Sequence, residues 1–280
     1  YYMVPYQPSA FVVLYYKDQF DAAGITELPK TWDAFLDVCQ ALKDSNVIPI
    51  TVDDAYMGAM FGYTLDRIAG SDKVAEMVDN RDMSDPSALK AAQIWQEMAE
   101  KGYMDSRAAS NIHPEGQNEV AKETVAMSLN GTWLPNEVKG IAREDFRWGS
   151  FAFPAIEGGD GIEANNYGAQ CFGINKNTQY PNAAFAFIKW MTTGTYAQKL
   201  ADESMGVPMA NDAVWPEQLA EAKAVIDSTT NRLPWAVGME IDTEIHAAIK
   251  DNFAKLILGD IDAQGFADAM AAVKVRDHKQ

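Results

Sequence analysis

The chain has 280 residues, 48% of them hydrophobic and 22% charged, which is enough to bury a sizeable core and argues against global disorder. Its net charge is -17, from 40 acidic against 23 basic side chains. That balance disfavours nucleic acid, whose phosphates call for Lys and Arg, and disfavours docking on anionic lipid; it suits a neutral ligand.

Taken in chain order, strands and helices mostly alternate, which predicts an α/β class. Residues 10–16 are apolar and β-branched or aromatic, and read as a buried strand. A helix follows, with Thr31 as N-cap, Asp33 at its positive end, and Trp32, Phe35, Leu36, Cys39 and Leu42 on one face. Residues 47–51 read as a short strand, and a helical zone from Met57 to Asn80 is broken at Gly70. Asp85–Pro86 starts another helix, with Leu89, Ala92, Trp95, Met98 and Ala99 as its apolar stripe and Gly102 at its end. Residues 124–130 and 147–154 read as strands.

The Gly-, Asn- and acid-rich run 157–168 is the best linker or crossover, and 170–174 reads as a strand. Pro181 opens a helix with Ala184, Phe187, Ile188 and Met191 on its apolar face. A long helix spans Ile241–Leu258, with Ile241, Ile245, Ala248, Ile249, Phe253, Leu256 and Ile257 inward, and a last one covers Asp262–Val275. Trp32, Trp95, Trp148 and Trp190 fit apolar faces and are assigned to the core. The two cysteines, Cys39 and Cys171, sit in apolar stretches and read as buried free thiols, with a disulfide as the alternative in an oxidising compartment. No window approaches the ~18 apolar residues of a membrane span. The opening YYMVPYQPSAFVVLYY reads as mid-domain sequence; secretory leaders are removed on maturation, so this leaves the compartment open.

Enzyme and metal signatures do not emerge. His113, His246 and His278 have no metal-ligand spacing, and there is no nucleophile elbow, Walker loop or dinucleotide fingerprint, so neither cofactor nor metal is expected. Asp53 and Asp54 follow a strand, where catalytic carboxylates often sit. A glycosidase needs two carboxyls across a bond, about 5–10 Å apart, which neighbouring residues do not supply. A helix cap plus a solvated acid is the other reading of the pair.

Four stretches in order resemble the bacterial extracellular solute-binding proteins of the maltose-binding type. They are VPYQPSAFVVLYYKDQF…PKTWDAFLDVCQALK near the start, AMSLNGTWLPNEV at 126–138, FGINKNTQYPNAAFAFIKWMTTGTYAQKLA at 172–201, and LILGDIDAQGFADAMAAV near the end. The resemblance implies a periplasmic-binding-protein-like type II fold: two α/β lobes joined by crossing strands, with sugar in the cleft. It makes residues 1–9 a crossover, 10–165 the main part of the second lobe, 166–218 a return excursion into the first lobe, and 219–280 the C-terminal helices of the second lobe. The excursion should form a separate patch reached through crossing segments. Most of the first lobe would lie before the sequence given, so the chain looks like a fragment.

The same resemblance implies the substrate-binding component of an ATP-driven carbohydrate importer. Its partners would be a carbohydrate and membrane permease subunits, with no nucleic acid, and its location extracytoplasmic, lipid-anchored in the full-length protein. An exposed first-lobe surface would favour a dimer. The rivals are a glycosidase-like enzyme and a fragment that binds nothing.

A sugar site needs aromatic platforms and hydrogen-bonding groups around them. Trp133 follows a strand, a Gly and a Thr, and so can project from a loop; the resemblance implies that it stacks on sugar, with a core Trp as the alternative. Asn130 is its companion. The resemblance also implies roles for Tyr56 on the cleft wall, with Asp53 or Asp54 at its edge, and for Trp235 before the long helix. It places Gln7 and Ser9 at one crossover and Gly168, Ala169 and Gln170 at the next.

Overall fold

The computed structural model describes residues 3–210 and 213–273. Residues 274 and 275 of the expected last helix, and His278, lie outside them.

The molecule is organised around β1 (Val4–Tyr16), 13 residues long. Its inner half alternates strictly. Phe11, Val13 and Tyr15 enter one core, and Ala10, Val12 and Leu14 enter a second. Both faces are covered, which is why FVVLYY is an unbroken apolar run and not an alternation of polar and apolar residues.

After β1 come α1 (Lys17–Ala22) and α2 (Trp32–Asp44). The Thr31 hydroxyl caps α2 by accepting from Ala34 N at 3.3 Å. β2 (Ile48–Thr51) leads through a single turn, Asp54–Tyr56, into α3 (Met57–Ala69), α4 (Ser71–Asp79) and α5 (Pro86–Glu100). Gly70 separates α3 from α4, and Asp85 caps α5 by accepting from Ser87 N at 2.9 Å. There follow α6 (Glu115–Ala121), β3 (Val125–Gly131), α7 (Leu134–Glu137), β4 (Trp148–Phe151) and β5 (Ala164–Phe172). The chain continues through α8 (Pro181–Thr192), α9 (Gly194–Ser204), α10 (Ala220–Ser228), β6 (Asn231–Leu233), α11 (Thr243–Leu258) and α12 (Ala263–Ala271).

The strands form one 6-stranded sheet in the order β2-β3-β1-β5-β6, with β4 also on β1. β3 runs antiparallel along one edge of β1, from Phe11↔Gly131 to Tyr15↔Met127. The other edge is divided. β4 takes its inner part, Val13↔Phe151 to Tyr16↔Trp148, and β5 its outer part, Val4↔Phe172 to Ala10↔Tyr167. Helices α2, α3, α5, α11 and α12 build the larger core on one face; Val120, Leu134, Trp148 and Val225 close the smaller one on the other.

Residues 166–172 therefore do not begin a separate sheet; they continue the same one along the outer half of β1. What changes there is burial. Beyond Ala10 the β1–β5 ribbon runs clear of both cores, and its side chains become half-buried or exposed. This corrects several expectations. Cys171 is exposed, and only Cys39 is buried. Trp190 is 46% exposed, and of the expected stripe on α8 only Ile188 is buried, because Phe172 of β5 and Tyr196 of α9 cover that face only in part. Ile241 is 77% exposed, since Asp242 caps α11 and leaves Ile241 outside the helix. The supposed linker is no linker at its start: Gly159 and Asp160 donate to the carbonyls of Arg67 and Asp66 and dock the turn on α3, after which β5 begins at Ala164.

Candidate functional site

Four rings meet where β3 ends. Phe11, from the point where β1 leaves the core, lies 5.4 Å from Tyr56, 6.2 Å from Trp133 and 5.1 Å from Trp235 between ring centroids. Trp133 and Trp235 lie 6.1 Å apart. Each ring arrives by a different local device. Trp133 follows Gly131, where a Cβ would fall 2.3 Å from the indole, so only glycine lets the ring fold back over the strand end. Thr132 fixes this corner: its N–H donates to Ala10 O and its hydroxyl accepts from Ala10 N. Tyr56 ends the turn after β2, and its hydroxyl accepts from Trp133 Nε1 at 3.4 Å. Trp235 precedes a left-handed turn in which Ala236 and Val237 have φ of 48° and 53°, and its Nε1 donates to Glu240.

Trp133 and Tyr56 face a cavity of about 460 Å³. Gln7, Pro8 and Ser9 of β1 and Gln170 of β5 form one wall; Thr132, Asn136 and Glu137 form another; Gly206 and Val207 complete it. An apolar aromatic floor with a polar rim is the composition that takes the face of a small polar molecule and hydrogen-bonds its edge. Burial, and then the charges of Glu137, Asp53 and Glu240, push the Tyr56 hydroxyl up to about 12, against the hydrogen bond from Trp133, so the phenol is neutral at physiological pH and able to donate.

Of the residues singled out from sequence, Trp133, Tyr56, Ser9, Gln7 and Gln170 line this cavity. Trp235 stands against its aromatic floor, 38% exposed. Gly168 pairs with Ser9 in the ribbon and offers backbone alone.

Asp53, Asp54 and Asn130 do not reach the wall, because their side chains are engaged behind it. The Asp53 carboxylate, 2% exposed, accepts from Gly116 N and Gln117 N and anchors the start of α6. Burial pushes its pKa up, against those two N–H groups. Asp54 accepts from His113 N and Lys250 Nζ; those bonds hold its carboxyl below the usual range despite burial. Asn130 accepts from Gly131 N and donates to Gln117 Oε1.

Sequence reasoning missed Pro8, Thr132, Asn136, Glu137, Gly206 and Val207 on the wall. Glu137 had a usable signal. It lies four residues after Trp133 on a helical turn, the spacing that puts two side chains on one face. Gly206 and Val207 had none, since they come from a segment remote in sequence.

Residues 2–198 match the family model described as bacterial extracellular solute-binding protein. The multiple sugar-binding protein of Streptococcus mutans is 27% identical over 222 residues, covering 75% of this chain and 51% of that protein. The chain thus spans about half the length of this relative. Among solved structures, a chitin oligosaccharide binding protein superposes with a TM-score of 0.78 at 22% identity, covering 97% of this chain and 70% of that one. RafE in complex with raffinose gives 0.76 at 20% identity, covering 97% and 72%. Likeness at that identity shows the fold.

Proposed function

The chain belongs to the bacterial extracellular solute-binding protein family, and we propose that its cavity takes a sugar or oligosaccharide for delivery to an ATP-driven importer. The observation that carries this is the pairing of Trp133 and Tyr56 beneath the polar rim of Gln7, Ser9, Asn136 and Gln170. A sugar presents weakly apolar faces and a belt of hydroxyls, and this wall matches both. The sugar-binding names of the S. mutans relative and of the two solved structures support the same reading.

The proposed task is capture without bond-making. Glu137 is the one carboxylate on the cavity wall among the described residues, whereas glycoside hydrolysis uses a pair. Residues 10–165 and 219–280 are read as one lobe, 1–9 as a crossing segment, and 166–218 as an excursion towards the other lobe. The change of burial along β1 and the exposed faces of α8 and α9 support this division. Permease subunits as partners, an extracytoplasmic location and a lipid anchor in the full-length protein belong to the same proposal. So does association of two copies through the exposed aromatic face of α8 and α9.

Calorimetric titration over mono- and oligosaccharides tests the function. Saturable binding of a sugar, lost or much weakened in Trp133→Ala, is expected. Heat with no saturation for any sugar, or release of product from a panel of glycosides, would sink it.

A further inference from the structure

We propose that Glu137 selects ligands by charge: the cavity prefers a sugar bearing an ammonium group to its neutral parent and rejects the same sugar bearing a carboxylate. The proposal rests on the carbohydrate reading above and deepens it.

Glu137 is placed as a fixed anion. It lies on α7, within one turn of Trp133, and its Oε2 accepts from Gln117 Nε2 at 3.0 Å. Gln117 is itself 3% exposed, held through its backbone N–H by Asp53 and through its Oε1 by Asn130. The carboxylate is therefore oriented from behind, while the residue stands on the wall. It makes no ion pair among the described residues.

Nothing on that wall offsets the charge. No Lys, Arg or His lines the cavity among the described residues. Lys250 is committed to Asp54. Arg232 lies beside Gly168 at the outer edge of β5, its Nε donating to Tyr167 O at 2.7 Å, and does not line the cavity. The carboxylates of Asp53 and Glu240 stand just behind the wall and add to the field of Glu137 at Tyr56. An ammonium placed on the rim gains a charge-assisted hydrogen bond to Glu137 and the attraction of the Trp133 and Tyr56 ring faces. A carboxylate there meets the like charge of Glu137, which the neutral donors of the rim do not cancel.

The test uses trimers of glucose in α-1,4 and β-1,4 linkage and their glucosamine and glucuronic acid counterparts. Binding is followed by tryptophan fluorescence at a pH where the amines are protonated. In the linkage that binds, the glucosamine trimer should bind about tenfold more tightly than the glucose trimer, the gain of one charge-assisted bond. The glucuronate trimer should show no saturation. Salt should shrink the amino-to-neutral ratio. Glu137→Gln, close in shape, should bring that ratio to within about twofold; Arg232→Gln should leave it unchanged. If Glu137→Gln does not fold, Glu137→Asp, which keeps the charge but withdraws it by one methylene, should lower the ratio, and an unchanged ratio would overturn the inference. Neutral binding with no ranking by charge, or glucuronate binding that Arg232→Gln abolishes, would overturn the inference and leave the carbohydrate reading standing. No saturable binding by any trimer would overturn both.

Discussion

Trp133 is half-buried because its ring has packed neighbours on one side and the cavity on the other. Trp133→Ala should therefore weaken sugar binding by ~1–3 kcal/mol, the range for losing one large aromatic contact, as read by calorimetry. Asp53 acts differently. Its carboxylate satisfies two N–H groups at the start of α6, so Asp53→Ala should destabilise the fold by about 1–3 kcal/mol in urea unfolding. Unchanged stability would show that those N–H groups find other partners.

A third residue sets a pH dependence. Burial pushes Asp66 from 3.8 up to about 7, with Asp160 reinforcing the rise and Arg67 opposing it. Between those values the native carboxyl keeps a proton that the unfolded chain gives up, so the group's contribution is full below the unfolded pKa and is lost as pH rises through the folded one. Relative to Asp66→Asn, the wild type should lose stability from about pH 4 to about pH 7. Parallel unfolding midpoints for the two proteins across that range would contradict the assignment.

At the scale of elements, two close approaches shape the site. Gly131 lets Trp133 fold back, and Gly62 of α3 lets the turn at 235–238 press onto the helix: a Cβ at Gly62 would lie 2.4 Å from Ala236 O. Gly62→Ala should push that turn outward, lower stability by about 1–3 kcal/mol and shift tryptophan emission, because Trp235 begins the turn. Wild-type emission and stability together would mean that the turn yields at no expense. The division of β1 between β4 and β5 has a similar consequence. It ends the covered part of the strand at Ala10 and brings Gln7 and Ser9 out beside Gln170 and the rings.

At the scale of the whole molecule, the unmatched feature is an exposed aromatic face. Phe185, Phe187, Trp190 and Tyr196 are each 45–55% exposed on α8 and α9, and Phe187, Trp190 and Tyr196 contact one another in sequence. Patches of this kind seek partners. Light scattering should show association that grows with concentration and falls in a Phe187→Ser, Trp190→Ser double variant. A monomer at all concentrations would refute the two-copy reading.

The sequence by itself determined the helix caps at Thr31 and Asp85, the buried strand at 10–16, and Trp133 as the projecting ring, because each rests on local spacing and local chemistry. It also carried the family, through four motifs in register. It misjudged Trp190, Ile241 and Cys171, since apolar character says that a side chain favours cover and not whether another element supplies it. The wall was decided only in three dimensions. Asp53 and Asn130 had the right chemistry and the right neighbours in sequence, but hydrogen bonds to α6 turned them inward: Asp53 accepts from Gly116 N and Gln117 N, and Asn130 donates to Gln117 Oε1. Gln170 and Gly206 meet Trp133 because the sheet register and the path of the chain after α9 bring distant segments together, information that no local pattern holds.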